Sequence, residues 1–147
     1  MGAAVSQPGR IIGFLTSSAD YSSSGQFTAV KVNSSGQVVQ CGTQGEVALG
    51  VLQNAPKSGQ AATVMVDGVT KMVAAGSIAA GALVTVDSQG RAVAANKETV
   101  NTSDAGASAD PVIGSNVLGI CIIGAGAAGS LCSVAILHVG GVATTAS

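Results

Sequence analysis

Two stretches of ten residues decide the fold: Val30-Lys-Val-Asn-Ser-Ser-Gly-Gln-Val-Val39 and Val84-Thr-Val-Asp-Ser-Gln-Gly-Arg-Ala-Val93. They align without gaps and are identical at five of ten positions. In each stretch, apolar residues alternate with polar ones on both sides of a polar turn that is closed by Gly36 or Gly90, which is the pattern of a β-hairpin. The chain is therefore predicted to contain the same hairpin twice.

The repeat continues more loosely beyond the hairpins. Its matching pairs are Gly50-Val-Leu with Gly119-Ile-Cys, Gly59 with Gly129, and Val64-Met-Val with Val134-Ala-Ile. Such periodicity predicts a fold assembled from two copies of one unit. We predict an all-β domain, a small internally duplicated β-barrel or β-sandwich with an extended N-terminal arm. Alternation is the same in barrels and sandwiches, so both architectures stay open.

The predicted organisation has an arm and one β domain. The arm is residues 1–27, and the domain is residues 28–147 with two similar units at about 28–75 and 82–140. The second unit carries an insertion at 96–116 whose polar, turn-forming residues predict an exposed loop. Asp67-Gly68, between two Val-rich runs, predicts a further hairpin turn.

Composition excludes several classes of function. Of the 147 residues, 9% are charged and 2% aromatic, and the net charge is −1, against about 25% charged residues in ordinary soluble domains. Nucleic-acid binding is excluded because the chain has neither a basic surface nor aromatic residues for base stacking. A surface with so little charge predicts burial against copies of the chain or against a partner.

The three cysteines, Cys41, Cys121 and Cys132, have no CxxC spacing and no nearby histidine in the sequence. They are predicted to be small buried residues, with a Cys121–Cys132 disulfide as the alternative. No cluster with metal-ligand spacing is present, so neither a metal nor another cofactor is expected. The apolar run at 11–15 is shorter than the ~7–15 residues of a signal-peptide core, which favours cytoplasmic synthesis.

Two motifs suggest functions that their context does not support. Gly124-Ala-Gly-Ala-Ala-Gly129 is a GxGxxG sequence, but no acidic residue follows Asp110 and too little chain remains for a dinucleotide-binding unit. We predict a hairpin loop instead. The uncharged run at 117–139 is long enough to span a membrane, but its repeat counterpart carries Lys57 and Asp67, so it is predicted to form strands and no membrane contact is expected.

Catalysis would have to use His138, the only histidine. Its nearest nucleophiles are Ser133 and Cys132, but adjacent strand residues point to opposite faces and no carboxylate lies near enough in sequence to orient the ring. The carboxylates fall mostly on predicted turns, where Asp67 and Asp87 serve as turn residues. The chain is predicted not to be an enzyme, and no small-molecule substrate is expected.

Two segments together carry a family resemblance. They are Gly50-Val-Leu-Gln-Asn-Ala-Pro-Lys-Ser-Gly-Gln-Ala-Ala-Thr-Val-Met-Val-Asp-Gly-Val-Thr-Lys-Met-Val and Ala75-Gly-Ser-Ile-Ala-Ala-Gly-Ala-Leu-Val-Thr-Val-Asp-Ser-Gln-Gly-Arg-Ala-Val-Ala-Ala. The sequence resembles the capsid cement (head decoration) proteins of tailed bacteriophages over about residues 45–139. The arm before Phe27 and the insertion lie outside the resemblance, and Val117–Ile123 is more apolar than the family pattern.

The resemblance implies a structural virion protein that is made in the host cytoplasm and binds the outer surface of a phage head. Such proteins are commonly homotrimers, bind the major capsid protein at junctions between capsomers and stabilise the shell. We predict that the arm makes this contact through Arg10, Ile11, Ile12, Phe14 and Leu15, by adding a strand to a neighbouring sheet edge. The alternative function is that of a repeat-built structural module of a cell surface or fibre. The third interpretation is a small acyl-transfer or hydrolytic domain that uses His138 with Ser133 or Cys132.

Overall fold

The structure is a computed structural model that describes residues 3–95 and 116–139. This part of the chain contains strands and no helix. The strands are β1 (Gln7–Pro8), β2 (Ile11–Thr16), β3 (Ala29–Val32), β4 (Val38–Gln40), β5 (Gly50–Leu52), β6 (Ala61–Met65), β7 (Gly68–Val73), β8 (Leu83–Val86), β9 (Ala92–Ala94), β10 (Val117–Ile123) and β11 (Leu131–Val139).

The strands form two antiparallel sheets that pack in a sandwich-like arrangement. The first sheet has the order β2-β6-β5-β3-β4, and the second has the order β1-β7-β11-β10-β8-β9. If β1 is left aside, the two sheets have the same strand order. The strands β2, β6, β5, β3 and β4 of the first sheet correspond to β7, β11, β10, β8 and β9 of the second. Each half also has one parallel bridge at an equivalent position. Ser17, after β2, bridges to Val38 of β4, and Ala74, after β7, bridges to Ala92 of β9. The all-β prediction is confirmed. Of the two open architectures the sandwich is observed, since neither sheet closes into a barrel within residues 3–95 and 116–139.

Both predicted hairpins are present as β3–β4 and β8–β9. The Asn33 Oδ1 atom accepts hydrogen bonds from the backbone N–H of Ser35 at 3.0 Å and of Gln37 at 2.9 Å. Asp87 makes the equivalent bonds in the second hairpin, at 2.9 and 2.7 Å. Gly36 and Gly90 close the turns with φ of 77° and 72°, a conformation that favours glycine. The repeated sequence therefore produces the same turn geometry in both hairpins.

The glycine-rich motif at 124–129 joins β10 to β11, which pair antiparallel. Its counterpart, the loop between β5 and β6, joins another antiparallel pair. The prediction of a hairpin loop is confirmed, and the uncharged run at 117–139 is β10, its loop and β11. Within the described ranges, no helix has the length and apolarity needed to cross a membrane.

The prediction of a hairpin at Asp67-Gly68 is wrong. The residues flank a connection between sheets, because β6 belongs to the first sheet and β7 to the second. Both edges of β6 are already occupied, by β2 on one side and β5 on the other, so β7 cannot pair with it. Gly68, with φ of 108°, turns the chain toward β11 instead.

The core has two parts. One cluster, including Val30, Leu52 and Val64, lies within the first half of the chain. The larger cluster combines first-half residues such as Val51 and Met65 with residues of the second half. All three cysteines are buried and free, as predicted, so the structure does not contain the alternative disulfide.

The N-terminal segment lies along both sheets, with β1 on β7 and β2 on β6. Val5 is held by the buried Ser133 hydroxyl, which donates to the Val5 carbonyl oxygen at 2.7 Å and accepts from its N–H. The predicted boundaries at residue 27 and between the units stay predictions. The predicted loop at 96–116 lies outside the described residues except for Asn116, which bonds to Gly45.

Candidate binding surfaces

The predicted capsid-binding residues lie on and beside β2, which pairs with β6 along one edge of the first sheet. Ile12 is opposite Val64, but Leu15 is opposite Ala62, so β2 has one residue more than its partner over this span. Such a β-bulge changes which residues share a face. It places Ile12 and Leu15 on the opposite side of β2 from Ile11 and Phe14; Leu15 packs against the first-half cluster, and Ile12 lines an open apolar groove beside β3.

The same bulge turns Ile11 and Phe14 outward. Phe14 is 82% exposed and Ile11 is 46% exposed, and Arg10 beside them is also exposed. The predicted set is therefore divided by the structure: Arg10, Ile11 and Phe14 are available to a partner, whereas Ile12 and Leu15 are half-buried. An aromatic side chain so exposed is the kind of residue that anchors protein interfaces.

Sequence reasoning missed a second apolar surface. A groove beside β3 is lined by Val32, Val47, Leu49, Val66 and His138 among others. Val47 is 67% exposed and Val32 is 42% exposed. The sequence did not indicate this exposure. Val32 continues the regular alternation of the hairpin, so the pattern does not distinguish it from a core residue such as Val30.

An ion pair borders this groove. Lys31 Nζ lies 2.8 Å from Glu46 Oε2, and Glu46 Oε1 accepts hydrogen bonds from the backbone N–H of Gly42 and Thr43. Burial raises the pKa of the Glu46 carboxyl, but the hydrogen bonds from Lys31 and the backbone outweigh it and hold the pKa below its ordinary value. The carboxylate therefore fixes the loop between β4 and β5.

This geometry predicts a pH-dependent contribution to stability. Because the Glu46 pKa is lower in the folded than in the unfolded chain, its contribution is complete above the unfolded-state pKa and is lost as the pH falls through the folded-state value. Glu46→Gln should reduce the free energy of unfolding by about 1 kcal/mol at pH 7, and the difference should close in acid. Urea unfolding at pH 7 and in acid measures this, with Asp67→Asn on an exposed carboxylate as control. A Glu46→Gln difference that is constant with pH would contradict the assignment.

A polar cleft of ≈ 650 Å³ lies beside the segment joining β2 to β3, lined by residues including Tyr21, Gln40 and Arg91. Its main polar groups are engaged within the chain. Tyr21 Oη accepts a hydrogen bond from the Gln40 backbone N–H at 2.9 Å, and Gln40 donates to Thr28 Oγ1. Arg91 is paired with Asp87 at 2.8 Å. The hydrogen bonds of Tyr21 and Thr28 hold the connecting segment to β4, whereas the Arg91–Asp87 pair lies within the β8–β9 hairpin.

Each of the three candidate catalytic residues, His138, Ser133 and Cys132, has a polar contact elsewhere in the chain. His138 is exposed near the end of β11, with Nε2 2.9 Å from the Val66 carbonyl oxygen. The Ser133 hydroxyl is bonded to Val5, and Cys132 is buried, with its pKa raised to about 12 mainly by burial. In the ranges that the structure describes, no group of three or more His, Cys, Asp or Glu side chains is arranged to hold a metal ion.

The family model described as "Phage cement protein" matches residues 21–115, well over half of the chain. The chain belongs to the phage cement protein family. This makes it a bacteriophage structural protein and confirms the resemblance seen in the sequence. It also decides between the phage interpretation and the cell-surface module in favour of the first. The match includes residues 21–44 and most of the insertion, which the motif resemblance did not cover, and ends before β10.

The fold is similar to a phage head structure. The N base of head fiber gp8.5 of bacteriophage phi29 superposes with a TM-score of 0.62, covering 89% of this chain and 98% of that one. At 14% identity, the likeness establishes the shared fold. No curated protein matches the chain.

Proposed function

We propose that this cement protein binds the outer surface of a phage head as a homotrimer and stabilises the shell. Family membership and the exposed edge of β2 are the supporting observations. The partner in this proposal is the major capsid protein, and the protein is made in the host cytoplasm before it binds assembled heads. Many copies on one shell would multiply modest individual contacts.

The proposed contact uses Arg10, Ile11 and Phe14. β2 is the edge strand of the first sheet, and Ser17, directly after its end, forms one parallel bridge to Val38 of β4. A strand edge with exposed apolar side chains is suited to pairing with a strand of another protein. The outward Phe14 ring would fill a pocket on the capsid surface, and Ile11 would pack beside it. Leu15 would hold the strand to the core from its other side.

Phe14→Ser should weaken binding to undecorated heads by at least about tenfold, because loss of a central aromatic anchor typically removes about 2 kcal/mol or more of binding energy, and about 1.4 kcal/mol corresponds to a factor of ten. Co-sedimentation of purified protein with heads measures the affinity. This substitution is preferable to deletion of residues 1–15, which would also remove most of a strand from the first sheet. Leu131→Ser, which removes an exposed apolar side chain on β11, is the matched control.

Equal affinities for wild type, Phe14→Ser and Leu131→Ser would contradict the assignment of the contact to β2. The stabilising role is tested separately, by comparing the temperature at which decorated and bare heads release DNA. Decorated heads should release DNA at the higher temperature. No difference at saturating protein would contradict the cement role while leaving the binding surface in place.

A further inference from the structure

The two halves of the chain, β2 to β6 and β7 to β11, are bound to each other through a turn of the second half. The Ala29 N–H donates to the Gly90 carbonyl oxygen at 2.7 Å, and the Gly45 N–H donates to the Val86 carbonyl oxygen at 2.9 Å. Gly90 is buried, and a Cβ atom built there would lie 2.7 Å from the Ala29 oxygen. The β8–β9 turn therefore docks on the backbone of β3 at close range.

The equivalent turn of the first half has no such partner among the residues that the structure describes. Gly36 occupies the position of Gly90 and is exposed, with nothing within 4 Å of a Cβ built on it. Val32 occupies the position of Val86, yet Val32 is 42% exposed and Val86 is 1% exposed. Within the described residues, the β3–β4 turn has the geometry of a docked turn but not the contact.

The surface that receives the β8–β9 turn also has a counterpart. Ala29 contacts the turn directly at Gly90. Val51, which pairs with Ala29, and Met65, which pairs with Val51, are buried with it in the cluster shared by the two halves. The equivalent residues of the second half are Leu83, Ile120 and Ala135. Ile120 pairs with Ala135 as Val51 pairs with Met65, and Leu83 stands directly before Val84 in the repeat as Ala29 stands directly before Val30.

In the second half this surface is open to solvent. Leu83 is 48% exposed, and Ile120 and Ala135 are both half-buried. The chain therefore presents one undocked turn on its first half and one apolar receiving face on its second.

We propose that the β3–β4 turn of one copy docks on the Leu83–Ile120–Ala135 face of a second copy and repeats the contact between the halves. The turn residues Ser34, Ser35 and Gly36 are small and uncharged, as a close backbone approach requires. Because the two surfaces differ, the contact is heterologous, and such contacts form rings when the rotation closes. This inference rests on the proposed homotrimer, in which three copies would form a ring of six similar units.

The test uses a substitution that the free chain tolerates. Gly36→Asn has open space around it, and Asn accepts positive φ better than other non-glycine residues. If the β3–β4 turn is docked on a second copy, the added Cβ would clash with the backbone of the receiving face, just as a Cβ at Gly90 would clash with the backbone of Ala29. Light scattering with size exclusion should give about three times 14.0 kDa for wild type and the monomer mass for Gly36→Asn. Gly129→Asn, with φ of 86° and open space, is the control and should stay trimeric.

A mixing experiment identifies the head-to-tail geometry. Leu83→Asp should also be monomeric, because it places a charge on the receiving face. Each variant keeps the surface that the other has lost, so an equimolar mixture should give a species of about two times 14.0 kDa. Circular dichroism spectra matching wild type establish that both variants are folded.

The outcomes separate this inference from the proposed homotrimer. A trimeric wild type whose mass is unchanged by Gly36→Asn and Leu83→Asp would overturn the docking surface and leave the homotrimer standing. A monomeric wild type would overturn both. Two monomeric variants that form no mixed dimer would overturn the head-to-tail arrangement.

Discussion

Gly90→Asn should lower the free energy of unfolding by about 3 kcal/mol, the scale of severe overpacking in a protein interior. The added Cβ would lie 2.7 Å from the Ala29 carbonyl oxygen and 3.1 Å from the Gln40 side chain. The first contact is with backbone, which cannot move without disturbing β3. The turn would have to withdraw, and the hydrogen bond between Ala29 and Gly90 would be lost with it.

Thermal unfolding at one protein concentration measures this effect. For a chain of this size, a loss of 3 kcal/mol corresponds to a fall in Tm on the order of 10 °C. Gly129→Asn is the control, because it carries the same positive-φ cost without the steric overlap, and its Tm should fall by only a few degrees. A Tm for Gly90→Asn equal to that of Gly129→Asn would show that the docking of the turn contributes little to stability.

Gly119→Ala should have an effect of similar size, about 3 kcal/mol, for a different steric reason. Gly119 lies on β10, where an added methyl group would overlap the Ala135 carbonyl oxygen of β11. Gly50, its repeat counterpart, has the same relation to the Met65 carbonyl oxygen. In both halves, glycine therefore allows two neighbouring strands to approach closely.

Urea unfolding of Gly119→Ala and Gly50→Ala, compared with Gly42→Ala, tests this explanation. A Cβ at Gly42 meets nothing within 4 Å, so that substitution should be neutral or stabilise by about 0.5 kcal/mol through the unfolded chain. If Gly119→Ala and Gly42→Ala unfold at the same urea concentration, the close approach of β10 and β11 does not require glycine at position 119.

Features determined by short-range sequence were predictable. The two hairpins follow from alternation around an Asn or Asp turn with glycine at its end, and the observed hydrogen bonds of Asn33 and Asp87 are the ones that this turn uses. The hairpin loop at 124–129 and the strands on either side were also predictable, because the repeat supplied a second sequence with the same pattern. The burial of the three cysteines followed from their residue type.

Features determined by the choice of partner strand were not predictable. Asp67-Gly68 has the local sequence of a hairpin turn, but the edges of β6 are taken by β2 and β5, so the chain changes sheet there. The exposure of Phe14 depends on a β-bulge in β2, and this bulge is defined by the register in which β2 pairs with β6. The candidate site was therefore located in sequence, but its division into outward and inward residues was not.

The sequence by itself determined the strand content, the turn geometry and the duplication of the hairpin, since these depend on the alternation of side chains and on the few residues that favour tight turns. Only the tertiary structure decided how the copies differ. Gly36 and Gly90 close the same turn, yet one is open and the other is buried against Ala29. The reason is physical: a turn is specified by neighbouring residues, whereas its burial depends on residues that are distant in sequence and adjacent only after folding.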